Sequence, residues 1–299
     1  MSKGRRRLVV CVVVAIVGGG SACTSISSTA TPGTINVVAG ENFWGSIATQ
    51  LGGSKVSVHS VVTDPNADPH EYETNTGDAR AFADSDLVIL NGAGYDNWGQ
   101  KMLDANASNH RQVLNIAQVL GRKPGDNPHF WYEPASVEAV ADKITADYKV
   151  IDPGNGSFFD QQRAAFTAAL MPYLERLAGI KTKFAGTPIG STESIFVYMA
   201  KALSLNLISP PEFMDAIAEG TDPPASAVAT FHDQIANSKI KVLVFNLQAS
   251  SAITASLKQL AQQSNIPLVG VSETLQPAGV TFQEWQLAQL TSLEAALSH

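Results

Sequence analysis

Two of the six histidines follow a proline inside matching local patterns: Asp68-Pro69-His70-Glu71-Tyr72 and Asn127-Pro128-His129-Phe130-Trp131. Proline fixes its own φ and extends the residue before it, so each loop is stiff and presents its imidazole in one direction. An aromatic ring two residues further on is placed to pack behind each histidine. Imidazoles held this way suit a metal ion, which needs ligands of fixed direction. The other four histidines carry no such pattern. His59 lies in an alternating strand, His110 in a polar loop, His232 beside a helical apolar stripe, and His299 ends the chain. A solvated strand face explains His59, and none of the four points to a functional role.

Oxygen donors complete the candidate set. Glu193 directly follows the strand-like run Thr187–Thr192, and Glu273 follows Ile266–Val271. In open α/β sheets ligands collect beyond the carboxyl ends of strands. Either acid alone would also suit a helix N-terminus, where the macrodipole favours negative charge. Joined to two presented histidines, they make a two-nitrogen, two-oxygen set fit for Zn²⁺ or Mn²⁺.

The elements that must position these residues alternate strand and helix. Strand candidates in the first half are Thr34–Gly40, Val56–Val62, Asp86–Asn91 and Val113–Ile116; those in the second are Thr187–Thr192, Asn206–Ser209, Lys241–Asn246 and Ile266–Val271. Asp86–Asn91 (DLVILN) is a near-continuous apolar run, the pattern of a parallel strand covered on both faces. Helical periodicity falls on Asn42–Leu51, Ser136–Asp147, 194–203, 225–237, 250–264 and 282–297. Residues 158–183 read as one long helix, with Pro172 inside it expected to introduce a kink. Strands separated by helices of 10–15 residues imply parallel βαβ units. The expected class is α/β with two lobes, each a mainly parallel sheet flanked by helices, joined by one long linker helix. The expected divisions are 34–154, 155–184 and 185–299.

Residues 1–22 read as an address. Arg5, Arg6 and Arg7 precede an apolar run, Leu8–Val17, and then Gly18–Gly20, Ser21 and Ala22. That run is too short to span a bilayer, which takes about 20 residues, but has the form of a secretory signal peptide. Ser21-Ala22-Cys23 resembles a bacterial lipobox, so Cys23 is expected to carry a lipid, although Gly20 stands where such motifs usually have a Leu-like residue. Residues 23–33, rich in Ser and Thr, then form a lipid-anchored tether. Loss of the signal removes four cations and no acid, taking the formal charge from −7 to −11. A chain this acidic excludes nucleic acid as the main partner. Two cysteines, one leaving with the signal, exclude a thiolate cluster and a disulfide framework. With 44% hydrophobic and 16% charged residues, the chain is no disordered segment.

The succession DPHEYE, NPHFW with Pro134, TESIFVYMAKAL, EGTDPP and IPLVGVSETL resembles the metal-binding subunits of bacterial zinc/manganese ABC importers (zinc-uptake component A-like) across roughly 34–297. The resemblance implies two α/β lobes linked by a rigid helix, with one divalent metal ion between them. It also implies ligands at His70, His129, Glu193 and Glu273, an ABC permease with its ATPase as membrane partner, and a monomer lipid-anchored to the outer face of the cell membrane. At the fourth position the family usually has Asp, and the longer arm of Glu273 bears on its denticity. Zn²⁺ and Mn²⁺ both stay open. The resemblance implies a binding protein and no enzyme. The alternatives are an extracytoplasmic metallohydrolase and a surface adhesin or interaction lipoprotein of the same fold. A hydrolase finds no HExxH and no G-x-S-x-G here, and Gly92-x-Gly94 with Asn97 is only a fragment of a dinucleotide fingerprint.

Overall fold

A computed structural model describes residues 33–65 and 72–299. The signal segment, Cys23, most of the tether and His70 lie outside the described residues. The apolar runs become two four-stranded sheets. The first comprises β1 (Ile35–Glu41), β2 (Val56–Val62), β3 (Leu87–Leu90) and β4 (Gln112–Asn115), interleaved with α1 (Asn42–Gly52), α2 (Thr76–Ala83), α3 (Asn97–Ala105) and, after β4, the short α4 (Ile116–Val119). Two helices follow, α5 (Pro134–Ile151) and α6 (Gly156–Phe184). The second lobe runs β5 (Pro188–Ser191), α7 (Val197–Ala202), β6 (Asn206–Leu207), α8 (Pro211–Ala218), α9 (Ala225–Ala236), β7 (Leu243–Asn246), α10 (Ala252–Gln263), β8 (Leu268–Val271) and α11 (Phe282–Leu297).

Both sheets are parallel, in the orders β2-β1-β3-β4 and β6-β5-β7-β8. Val88 faces Val38 on one side and Val113 on the other, and Val244 faces Ser191 and Val269. Strand order therefore reverses between β1 and β3 in the first lobe and between β5 and β7 in the second. Crevices open beyond the strand ends at such reversals. Glu41 and Asn91 border the first crevice; Glu193 and Asn246 border the second.

One apolar core runs through both lobes. It joins Val37, Leu87 and Ile89 of the first sheet to Val242, Val244 and Val271 of the second through Phe130, Trp131, Tyr132, Phe196 and Trp285. Smaller apolar layers lie on the outer side of each sheet. Linker helix α6 is 29 residues long, roughly 44 Å at 1.5 Å per residue, and continues through Pro172. Only Phe159, Phe166, Leu170, Tyr173 and Ile180 are buried on it, a narrow stripe against α5 and α11. Arg163 pairs with Glu138 and Asp142 of α5, and Arg176 and Lys183 both pair with Glu294 of α11. The C-terminal helix also reaches the first lobe. The Phe282 N–H donates to Ser46 Oγ (3.0 Å), and Gln283 Nε2 donates to Gln50 Oε1 (2.8 Å). The lobes are thus clamped by two helices and a shared core. No described helix is long and apolar enough to cross a membrane.

Candidate metal centre

His129 stands at the entry to a single 3₁₀ turn, Phe130–Tyr132, and is fully buried. Asn127 fixes its ring. The Asn127 Nδ2 donates across to the Ser194 carbonyl of the second lobe (2.7 Å), which turns Oδ1 toward His129. That oxygen accepts from the His129 backbone N–H (3.0 Å) and lies 2.7 Å from Nδ1. An amide oxygen can only accept, so Nδ1 carries the proton and Nε2 keeps its lone pair in the neutral ring. Nε2 points at Glu193 Oε1, 3.4 Å away. Trp131, two residues on, packs against the imidazole at 5.1 Å between ring centres, the backing aromatic that the loop pattern predicts.

Glu193 follows β5 in extended backbone, and its side chain caps no helix. Glu273 follows β8. Both are buried, at 1% and 0% exposure. Glu193 does stand at the N-terminus of the 3₁₀ turn Ser194–Phe196, but its carboxylate makes no capping hydrogen bond there. Donor atoms of His129, Glu193 and Glu273 lie within 4.8 Å of one another. Nitrogen and oxygen ligands sit about 2.0–2.2 Å from Zn²⁺, so such a cluster converges on the space of one ion.

A second layer holds the acids in place. Asn246, ending β7, donates through Nδ2 to Glu193 Oε2 and to Glu273 Oε1 (2.7 Å). The Tyr95 hydroxyl, reaching over from the first lobe, donates to Glu273 Oε2 (2.5 Å). Gln248 Oε1 accepts from the Glu273 N–H (2.7 Å) and the Thr274 N–H (3.1 Å). Tyr132 crosses the lobe junction with its hydroxyl 2.8 Å from both the Ser272 carbonyl and Gln289 Oε1. Burial first, then the charges of Glu273 and Glu193, push its ionisation well above the usual phenol range. The field at the centre is that of a buried anion, costly until a cation arrives.

Beneath the centre lies a carboxyl pair absent from the sequence reading. Asp96 accepts from the Asn91 N–H (2.6 Å) and the Gly92 N–H (2.8 Å). Fully buried Glu41 lies against it, carboxyl to carboxyl. Burial, then the Asp96 charge, raise Glu41 well above its ordinary value of 4.5, which favours the protonated form in the fold. In the unfolded chain that proton leaves above about pH 4.5. Stability therefore falls as pH rises from there toward the folded value, by up to about 1.4 kcal/mol per pH unit. Glu41→Gln, which keeps a donor and cannot ionise, is expected to melt with the parent near pH 4.5 and above it at pH 8. Parallel melting profiles across that range would show Glu41 to be ionised in the fold.

Of the residues singled out in the sequence, His129, Glu193 and Glu273 are brought together. His59, His110, His232 and His299 are exposed, and His59 Nε2 lies 3.8 Å from Asp78. His70 lies outside the described residues. Asn127, Tyr95, Asn246, Glu41 and Asp96 were not anticipated. Asn246 alone had a usable signal, since it closes a predicted strand beside the sheet reversal.

The sequence matches the family described as zinc-uptake complex component A, periplasmic, over residues 37–296. The chain belongs to that family. It is accordingly an extracytoplasmic substrate-binding protein of metal importers, and no enzyme. Among curated relatives, the metal ABC transporter substrate-binding lipoprotein FimA of Streptococcus parasanguinis is 25% identical over 278 residues, covering 87% of this chain and 86% of that one. The manganese ABC transporter substrate-binding lipoprotein PsaA of Streptococcus anginosus is 25% identical over 266 residues, with 83% and 82% covered. The periplasmic zinc binding protein TroA from Treponema pallidum shares the fold at TM-score 0.75 and 16% identity, covering 89% of this chain and 99% of that one. So does the Mn-bound periplasmic metal binding protein from Candidatus Liberibacter asiaticus, at TM-score 0.72 and 18% identity, with 87% and 98% covered.

Proposed function

We propose that the chain captures one divalent transition-metal ion, Zn²⁺ or Mn²⁺, through His70, His129, Glu193 and Glu273, and delivers it to an ABC permease. The observation that carries this reading is the buried convergence of His129, Glu193 and Glu273 donors at the lobe junction. Nδ1–H of His129 is anchored on Asn127, the outer hydrogen bond that ligating histidines almost always make. His70 joins the set by the family resemblance and by the course of the chain beside it. The Asp64 and Pro65 carbonyls accept from Thr274 Oγ1 (3.5 Å) and Gln276 Nε2 (2.7 Å), one and three residues beyond Glu273. Asp64 and Pro65, the last residues described before His70, thus lie beside the loop that bears Glu273.

Two relatives carry Mn or Zn in their names, PsaA and TroA, which supports the cargo class and leaves both metals open. The rest of the reading is a signal peptide over 1–22, a lipid on Cys23, a tether to residue 33, and metal-binding lobes 34–154 and 185–299 about linker 155–184. The relatives' description as lipoproteins supports the anchor. Anchored so, a monomer collects its ion outside the cell and docks on the permease in the membrane.

Competition titration with Zn²⁺ and Mn²⁺ tests the class and identifies the cargo together. One equivalent of metal is expected, with affinity falling as pH drops below about 6.5, where histidine takes up protons that compete with the ion. Failure to bind either ion would end the proposal, and affinity flat down to about pH 5 would remove the histidines from it.

A further inference from the structure

We infer that Asn246 determines metal specificity by confining each buried carboxylate to one-oxygen ligation, which favours four-coordinate Zn²⁺ over Mn²⁺. The inference rests on the metal-binding reading above. Asn246 is itself buried and ends β7, the strand next to the reversal of the second sheet. The orientation of its amide is dictated independently of the acids. Oδ1 accepts from the Gln248 backbone N–H (2.9 Å), a group that can only donate, so the NH₂ must face the other way. Its two N–H bonds then go one to Glu193 Oε2 and one to Glu273 Oε1.

Each acid thereby has one oxygen committed to a rigid donor. For Glu193 the other oxygen, Oε1, is the one 3.4 Å from His129 Nε2 and aimed into the centre. For Glu273 the other oxygen accepts from the Tyr95 hydroxyl (2.5 Å), which fixes the plane of the carboxylate while leaving that oxygen a second lone pair for the ion. A bidentate carboxylate must turn both oxygens on the ion. Here that turn strips buried N–H bonds of their acceptors, and such orphaned donors are costly. The hydrogen bonds are charge-assisted, which makes them hard to displace. Zn²⁺ is satisfied by four nitrogen and oxygen ligands in a tetrahedron and loses nothing under this restraint. Octahedral, oxygen-preferring ions such as Mn²⁺ reach their ligand number most readily when carboxylates chelate. One side-chain amide thus caps the coordination number that two acids can offer.

The test compares the intact protein with Asn246→Ala and Asn246→Ser, titrated with Zn²⁺ and Mn²⁺ separately, after circular dichroism has shown each variant folded. The ratio of Zn²⁺ to Mn²⁺ affinity is expected to fall at least tenfold in Asn246→Ala, with Asn246→Ser, which keeps one hydroxyl donor, in between. Equal loss for both ions would make Asn246 a support of the fold only and overturn the assignment. X-ray absorption on the Zn²⁺-loaded unmutated protein decides the matter even if neither variant folds. Four ligands near 2.0 Å are expected, and a chelating carboxylate would refute the restraint. An unmutated protein that binds neither ion would instead bring down the metal-binding reading itself.

Discussion

His129→Ala is expected to abolish the rise in melting temperature that Zn²⁺ or Mn²⁺ produces in the unmutated protein. An ion bound only by the native state stabilises it by mass action, about 4 kcal/mol when free metal stands a thousandfold above the dissociation constant. In a chain of this size each kcal/mol moves the midpoint by about 2–4 °C, so the unmutated protein should gain roughly 8–16 °C. His129 supplies a nitrogen donor whose tautomer and direction are both fixed by Asn127. Its removal leaves Glu193 and Glu273 without the imidazole lone pair that converges on them. His70→Ala should cost the rise in the same way, which tests the ligand that resemblance supplies. His110→Ala and His232→Ala, both at exposed positions, should keep the full rise and show that loose surface histidines contribute none of it. Scanning calorimetry of the metal-free and metal-loaded forms reads the difference directly. A double variant of His70 and His129 that still gains the full rise would place the ligands elsewhere.

How far these residues could be read from sequence depends on which physical signal each one leaves. The parallel strands were legible because burial on both faces writes an uninterrupted apolar run: Asp86–Asn91 contains β3, and Lys241–Asn246 contains β7. Glu193 and Glu273 followed from strand ends, and His129 from a proline-stiffened loop. The shorter helices α2, α3 and α8 span only eight or nine residues and bury two residues each, too brief a stretch for apolar spacing to mark them. A capping box from Asn75 and Asp78 starts α2 where apolar spacing is silent. Helix α5 begins earlier than periodicity suggests because Pro134 occupies its first position, where no N–H is needed. Strand β6 shrinks to Asn206–Leu207, with prolines at 210 and 211 close behind it and α8 starting at Pro211.

The second layer was hidden for a different reason. Tyr95 and Glu273 are 178 residues apart in sequence and meet only because the lobes are clamped together. Asn246 touches Glu193 and Glu273 across distances of 53 and 27 residues. No local spacing encodes such pairs. The Glu41–Asp96 pair likewise joins the end of β1 to the residue before α3 at a sheet reversal, and either acid alone looks like ordinary surface charge. The shared core has a mechanical consequence as well. Lobes joined through Phe130, Trp131, Tyr132, Phe196 and Trp285 do not part without exposing large aromatic surface. Parting the lobes would therefore cost far more than a local rearrangement of a single loop.

Trp131→Ala is expected to destabilise the metal-free protein by about 3–5 kcal/mol and to weaken metal binding together with it. Trp131 is fully buried, stacked on Phe43 with ring centres 4.0 Å apart, and lies 5.1 Å from His129 and 5.2 Å from Tyr95. It therefore touches one proposed ligand and the residue that grips another. Loss of the indole opens a cavity directly behind the imidazole, and the ring gains freedom that the Asn127 hydrogen bonds still oppose. Trp131→Phe separates the two effects. It keeps an aromatic wall against His129 and Phe43, and it deletes an indole N–H that finds no hydrogen-bond acceptor among the described residues. An unsatisfied buried donor is itself unfavourable, so its removal offsets part of the lost packing. Urea unfolding of the metal-free proteins should rank unmutated first, Trp131→Phe close behind, and Trp131→Ala well below. Metal affinity, measured by competition on the same samples, should follow that order. If Trp131→Ala binds metal as tightly as the unmutated protein while losing stability, the Asn127 hydrogen bonds alone orient His129. The aromatic wall would then serve the fold and not the ligand.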